Sequence, residues 1–570
     1  MSVDKISVED LTFRYPGSEE PVLQNTSVEI GSNSFTAIIG GNGSGKTTLC
    51  KTFNGLVPHF FNGTFEGTVT VGDTETTESD VSTLSQTVGY VFQDFENQLV
   101  QPVVIDDVAF APKNHGLSDY EQRAREALET VGLGDATDRF IWELSGGQQH
   151  LVALASVLAM DPEFIIVDEP AAQLDPHNAN KTYEQLRRIH QETDIGVIVI
   201  EHHTEFIGSY CDRVIMVSDG AVAWNKPVSV GLNKIDDLLE EDIHPPQVTQ
   251  IARQLPESHG TLPNGRYPIT VDEGVHVFPT ATDRSSHAVT PDGHGRTDQL
   301  ITIDGVSHGY PTLREGRKIV LDDFSLNLYS GDRVALVGAN GTGKSTLLRL
   351  MTGLESPDEG TVTVLGQDTN ETLPEELADD TVYIHQNPEE MFVEETVRED
   401  IAYYLNSRDH PDVNDRVDNV ISFLDLEPIA DRDGRLLSLG QQRRASLAIG
   451  IATNPSIVLM DEPTGSLDLQ SRREVTRMLS QSESRTDMVV IATHDLQLVA
   501  AWADRVIVLG PDGVLADAAP ERIFETPEIL RQAHLQPPQV VEISDQLGVN
   551  PLALTVDDFV GAMPTPEGNR

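Results

Sequence analysis

Apolar and polar residues alternate from Ile6 to Tyr15 and again from Ile301 to Tyr310, which predicts strands with one face on a core and the other toward solvent. Runs of mostly apolar residues come next. They are Phe35 to Ile39, Phe164 to Val167 and Val197 to Ile200 in the first half, and Val334 to Val337, Ile457 to Met460 and Met488 to Ile491 in the second. Short runs so nearly apolar throughout, with Thr36 the exception, read as inner strands of a parallel sheet, covered on both faces. A helix-rich insert separates these strands in each half, for example from Asp119 to Val131. The same order of elements occurs twice.

The first apolar run of each half feeds a glycine loop. One loop is Gly40, Gly41, Asn42, Gly43, Ser44, Gly45, Lys46 and Thr47, followed by Thr48; the other is Gly338, Ala339, Asn340, Gly341, Thr342, Gly343, Lys344 and Ser345, followed by Thr346. In a strand, loop and helix of this pattern, the glycines let backbone N–H groups wrap phosphates and the helix N-terminus adds its dipole. The lysine reaches the β- and γ-phosphates, and the Ser or Thr hydroxyl binds Mg²⁺. Those roles fall on Lys46 with Thr47 and on Lys344 with Ser345.

More motifs trail each loop in one order. Gln93, LSGGQ (Leu144 to Gln148), Asp168 with Glu169, Asp175 and His202 come after the first; Gln386, LSLGQ (Leu437 to Gln441), Asp461 with Glu462, Asp468 and His494 come after the second. Gln93 and Gln386, Ser145 and Ser438, Asp168 and Asp461, and Asp175 and Asp468 are each 293 positions apart. A constant spacing over so many motifs marks a tandem duplication.

A second repeat trails each unit. HPPQVTQIARQL (His244 to Leu255) matches QPPQVVEISDQL (Gln536 to Leu547), with ITVDE (Ile269 to Glu273) and LTVDD (Leu554 to Asp558) downstream. The chain therefore reads as a first domain at 1–228, its appendage at 229–277, a linker at 278–298, a second domain at 299–519 and its appendage at 520–570. The linker is rich in Thr, Ser, Pro, Gly and Asp and lacks periodicity.

Charge changes the picture of partners. Lys and Arg total 39 against 91 Asp and Glu, a net charge of −52. Such a polyanion repels nucleic acid, whose binding relies on basic residues that neutralise phosphates. Lysine is scarcer than arginine, and two of the few lysines sit in the glycine loops. The acidic, lysine-poor composition reads as adaptation to molar salt, where self-repulsion is screened. No run approaches the roughly 18 apolar residues of a membrane-spanning helix, and no leader-like segment precedes the first strand, so the chain is expected in the cytoplasm. Cys50 and Cys211 show no paired spacing and read as ordinary buried thiols.

With two loops and their trailing motifs, the chain resembles the ATP-binding cassette (ABC) superfamily over almost its whole length. The resemblance implies an α/β fold of two tandem P-loop NTPase domains. Each would have a parallel-sheet core, an antiparallel β subdomain and a helical subdomain. It also implies an intramolecular pseudo-dimer hydrolysing ATP with Mg²⁺, in which Ser438 and Gly440 close the Lys46 site and Ser145 and Gly147 close the Lys344 site. Asp168 and Asp461 would hold the metal, with Gln93 and Gln386 sensing it and transmitting closure. Glu169 and Glu462 would polarise the attacking water, and His202 and His494 would contact the γ-phosphate. Tyr15 and Tyr310 would stack on adenine, although a strand tyrosine packed in the core would look the same. The alignment of EHH with THD favours His202 over His203, which reads as a surface histidine.

Both halves keep the catalytic glutamate, so neither looks inactive. Two departures predict unequal sites: Leu439 stands where the superfamily usually has glycine, and Leu151 where it usually has arginine.

The segment from Phe95 to Leu117, echoed from Pro388 to Leu405, closely resembles the ATPase subunits of energy-coupling factor (ECF) and cobalt-type importers, as do the PPQV and TVDE repeats. In that family the segment forms a helix that contacts a transmembrane T component, which serves a substrate-binding S component. The alternative is that it only packs the helical subdomain. The resemblance implies a peripheral ATPase on the cytoplasmic face of the membrane. It would drive uptake of a vitamin, a precursor such as thiamine pyrimidine, or cobalt or nickel. A soluble tandem ATPase on ribosomes or nucleic acid is the rival from another class, but such proteins typically carry a basic arm or a cysteine-rich domain. A tandem sugar-importer ATPase lacks the repeated appendage.

Overall fold

The computed structural model describes residues 3–171, 174–279, 298–312, 316–408, 410–465, 475–477, 486–511 and 513–563. Asp468 and most of the expected linker lie outside them. The chain divides into two units, Met1–Phe278 and Pro279–Arg570, each built on two sheets.

In the first unit Lys5–Arg14 pairs antiparallel with Leu23–Gly31 on one side and Thr64–Val71 on the other. The second sheet runs Ala221–Pro227, Arg213–Ser218, Phe35–Ile39, Gly196–Ile200, Phe164–Asp168 and Val88–Val91 in space, parallel except for the first, antiparallel edge strand. The second unit repeats this. Gln299–Thr312 lies between Gly316–Tyr329 and Glu359–Val364, and the six-stranded sheet runs Thr381–Ile384, Ile457–Asp461, Met488–Thr493, Arg333–Val337, Arg505–Gly510 and Gly513–Ala518.

Every inner strand expected from an apolar run is present and fully buried. The pleat explains why these runs are continuous rather than alternating. Ile38, Ile166 and Ile198 face a core shared with Ile6, Val8 and Phe13 of the antiparallel sheet. Their neighbours Ala37, Ile165, Val167 and Val199 face the helices, among them Leu128, Leu154 and Tyr183. With both faces covered, apolar residues fill nearly every position, and the one polar residue of Phe35–Ile39, Thr36, pairs with the Ser34 hydroxyl at 2.9 Å.

The helical insert departs from one expectation. The segment after Gln93 is not one helix: a 3₁₀ turn at Phe95–Gln98 is followed by short helices Val104–Val108 and Phe110–Asn114. Pro112 sits in the second of these and offers no backbone N–H, which is why the segment does not run on as a continuous rod. The second unit has a 3₁₀ turn at Pro388–Met391 and then a single helix, Val397–Ser407, with Thr396 capping its N-terminus. The periodic stretch from Asp119 to Val131 forms the helix Tyr120–Thr130.

The repeated appendages fold as short helices. PPQV opens Gln247–Gln254 and Gln539–Gln546, and the threonine of TVD(E/D) caps Val271–Val277 and Val556–Ala562. Cys50 and Cys211 are buried, with their thiols pushed well up by burial. Among the described residues, no helix is long and apolar enough to cross a membrane.

Candidate nucleotide-binding sites

Each glycine loop leaves a buried strand and enters an eight-residue helix, Lys46–Phe53 or Lys344–Met351. Gly45 and Gly343 precede these helices with φ of 99° and 93°, a conformation that disfavours any side chain. The lysines fold over their own loops. Lys46 Nζ donates to the carbonyls of Gly40 and Gly41 at 2.9 and 2.8 Å, and Lys344 Nζ to those of Gly338 and Ala339 at 2.7 and 3.1 Å. Burial lowers the Lys46 ammonium, against the opposing pull of Glu169, Asp168 and Glu241.

At the end of the neighbouring strands stand the paired acids. Asp168 accepts from the Tyr90 hydroxyl at 2.8 Å and contacts the Thr47 hydroxyl; Asp461 accepts from Tyr383 at 3.0 Å and contacts Ser345. The structure thus joins the loop hydroxyl to the strand acid in both units. The next residues, Glu169 and Glu462, have φ of 51° and 46°. Left-handed backbone is uncommon for a residue with a long side chain and concentrates at functional sites. It is held by a backbone bond to the adjacent strand, Glu169 N–H to Ile200 and Glu462 N–H to Ala492.

The surroundings of these two glutamates differ. Glu462 is buried, lies 2.8 Å from His494 Nδ1 and accepts from the Thr493 hydroxyl at 3.1 Å. Burial pushes its carboxyl up, but His494 and the Lys344 charge outweigh that and leave it below the usual range. Glu169 instead accepts from the Gln93 amide at 2.6 Å. Burial, then Glu201 and Asp168, push its carboxyl up to about 7. Glu201 occupies the place of Thr493 when His202 is matched to His494.

Glu201 is fully buried and accepts from the Tyr183 hydroxyl at 2.7 Å and from the N–H groups of His202 and His203 at 2.8 and 2.9 Å. Glu201, His202 and His203 bring ligand atoms within 4.8 Å of one another, yet the carboxylate already fixes the turn that presents both histidines. Sequence reasoning missed this residue, although the register that paired the histidines would have exposed it.

The signature motifs form helix N-termini. Ser145 and Gln148 make a reciprocal capping box at the start of Gly146–Leu158, and Ser438 and Gln441 make the same box at the start of Leu439–Ile451. Leu439 leaves that geometry intact, with its side chain exposed. The tyrosine hydroxyls lie 3.2 Å (Tyr15) and 3.0 Å (Tyr310) from those of Thr48 and Thr346, with both tyrosines half-buried. Gln386 is exposed.

A phosphate loop, a strand acid followed by a strained glutamate, and a histidine one strand over define an α/β P-loop ATPase, present here twice. Residues 23–172 and 321–465 match the ABC transporter family, and the chain belongs to that family as an ATP-binding, ATP-hydrolysing protein with two cassettes. It is 30% identical to a putative ABC transporter ATP-binding protein of Caldanaerobacter subterraneus subsp. tengcongensis, covering 98% of this chain and 99% of that one. A second such protein, from Methanosarcina acetivorans, is 28% identical, covering 96% and 90%. Among solved structures, cbiO1 of Clostridium perfringens, part of the ABC transporter complex cbiONQ, is 30% identical, with a TM-score of 0.38, covering 42% of this chain and 94% of that one. An ATP-binding cassette in a post-hydrolysis state with ADP and Pi is 26% identical, with a TM-score of 0.36, covering 39% and 99%.

Proposed function

We propose that this chain is the fused two-cassette ATPase of an ECF-type importer, seated on the cytoplasmic face of the membrane through a T component that serves an S component. The observation that carries this reading is a repeated exposed apolar pair behind each glutamine. Val100 and Phe110 in the first unit, and Val393 and Tyr403 in the second, are 56%, 43%, 60% and 54% exposed. Members of each pair are 293 positions apart between the units. Large apolar side chains left in water at equivalent places of a duplicated unit suit a partner that meets both units alike. The PPQV and TVD(E/D) appendages, shared with ECF and cobalt-type ATPases, support the same class of importer. Cargo would be a vitamin, a precursor such as thiamine pyrimidine, or cobalt or nickel, selected by the membrane partners.

In this reading each nucleotide is bound by one cassette's phosphate loop and closed by the other's signature: Ser438 and Gly440 over Lys46, and Ser145 and Gly147 over Lys344. Tyr15 and Tyr310 stack on the bases. The donors beside each loop are oxygens, Thr47, Asp168 and Gln93 in one unit and Ser345, Asp461 and Gln386 in the other, a set that suits a hard cation such as Mg²⁺. Bound there, the ion neutralises phosphate charge. Glu169 and Glu462 orient water, and His202 and His494 hold the γ-phosphate. Closure on ATP and reopening after hydrolysis would drive the membrane partners.

The test is affinity purification of the tagged chain from detergent-solubilised membranes in about 1 M KCl, with mass spectrometry of the co-purifying proteins. Polytopic membrane proteins are the expected companions, the smallest being the S component. Ribosomal proteins or nucleic acid without a membrane partner would overturn the importer reading and leave the ATPase standing.

A further inference from the structure

Three of the positions at which the two cassettes differ around the phosphate loop meet in space in the first. The appendage helix Ile235–Glu240 ends on Glu241, whereas the matching helix Pro527–Gln532 ends on Ala533. The strand Arg213–Ser218 ends on a serine, its counterpart Arg505–Gly510 on a glycine. The second residue of the loop is Gly41 in one cassette and Ala339 in the other.

In the first cassette Gly41 N–H donates to one oxygen of the Glu241 carboxylate at 3.0 Å, and the Ser218 hydroxyl donates to the other oxygen. A Cβ on residue 41 would lie 2.9 Å from the carboxylate. Glycine at 41 leaves room for the carboxylate without a shift of its side chain, and alanine at 339 goes with a helix end that brings no carboxylate. The loops otherwise sit alike. A Cβ on Gly40 would meet the Val217 carbonyl at 2.0 Å, and one on Gly338 the equivalent Leu509 carbonyl at 2.6 Å.

We propose that Glu241 is a positioning residue for the first phosphate loop: an appendage carboxylate that fixes the loop backbone while opposing the negative charge of a bound nucleotide. The two parts of its action are separable. As acceptor it satisfies Gly41 N–H, a backbone donor that would otherwise need another partner. As a charge it stands close enough to act on the Lys46 ammonium, so it weakens the attraction that the loop offers to phosphates. The first cassette then holds ATP less tightly than its loop allows, and movement of the appendage changes that hold. The second cassette, with Ala533 and Gly510, has no such control. The inference needs only the ATPase assignment and stands whether or not the partner is a T component.

Titration of the full chain with a fluorescent ATP analogue tests it, in a Lys344→Ala background to read the first loop and in a Lys46→Ala background to read the second. Glu241→Gln keeps the acceptor and removes the charge. It should lower Kd at the first loop about fivefold, on the order of 1 kcal/mol, and leave the second unchanged. That gain of affinity is a readout a merely structural role would not give, because loss of a structural contact leaves Kd unchanged or raises it. An unchanged or raised Kd in Glu241→Gln, or an equal shift at both loops, overturns the proposal.

Discussion

The most informative residue pair in this protein is Glu201 and Thr493, because it sets the surroundings of Glu169 and Glu462, the glutamates that follow the strand acids. Thr493 and His494 hold Glu462 in place, so its carboxylate is oriented by the unit that carries it. Glu201 points instead at the turn of His202 and His203, and Glu169 takes its hydrogen bond from the exposed Gln93. A side chain oriented by a buried partner is better prepared for catalysis than one that relies on a surface glutamine. Glu462→Gln is therefore expected to remove the larger share of ATPase activity, by several-fold over Glu169→Gln. Steady-state phosphate release from both variants checks this, and equal losses would end the idea of unequal sites. The motif spacing made the glutamates themselves legible. It did not reveal their difference, which comes from a residue just before the histidine that carries no motif of its own.

At the scale of the element, the signature helices differ in the residue that faces the glutamine-bearing segment. Arg443, buried, donates to the His385 carbonyl at 2.8 Å, and burial lowers its guanidinium to about 10. The same place in the first unit holds His150, buried against Phe95 with ring centroids 5.0 Å apart. Burial lowers the His150 imidazole to about 4. The unfolded chain takes up that proton near 6.5 while the folded chain refuses it until about 4, so the contribution is harmless above about 6.5 and destabilising as pH falls. At pH 5 the loss amounts to about 2 kcal/mol. His150→Leu should flatten this slope, which urea unfolding at pH 7.5 and pH 5 would show as a variant gaining on the parent at the lower pH; parallel losses would refute it. The apolar runs told where the inner strands lie, because strands covered on both faces have no freedom in their pattern. They did not tell how the segment after Gln93 would break, since that depends on Pro112 and on packing against His150, which no periodicity records.

The whole molecule is governed by its charge. With a net −52, folding brings acidic groups together that the extended chain keeps apart, and the 91 Asp and Glu far outnumber the 39 Lys and Arg that could offset them. Among the pairs that do form, many are exposed, such as Arg253 with Asp236 and Arg531 with Glu528, where each contributes little. Self-repulsion must then be relieved by the solvent. The Debye length is about 10 Å at 0.1 M salt and about 3 Å at 1 M, so only in the concentrated range does each surface carboxylate cease to feel its neighbours. Buried pairs such as Arg505 with Asp332 are screened much less, so the change should act on the surface of both units and leave their cores alone. We therefore expect far-ultraviolet circular dichroism to show loss of helix and strand as KCl is dialysed from about 2 M toward roughly 50 mM, with recovery on returning the salt. Sodium sulfate should protect at lower concentration than KCl, because it also strengthens burial. Full structure retained at the low end would mean that the acidic surface tolerates its own repulsion, and the reading of this chain as a protein of molar salt would fall.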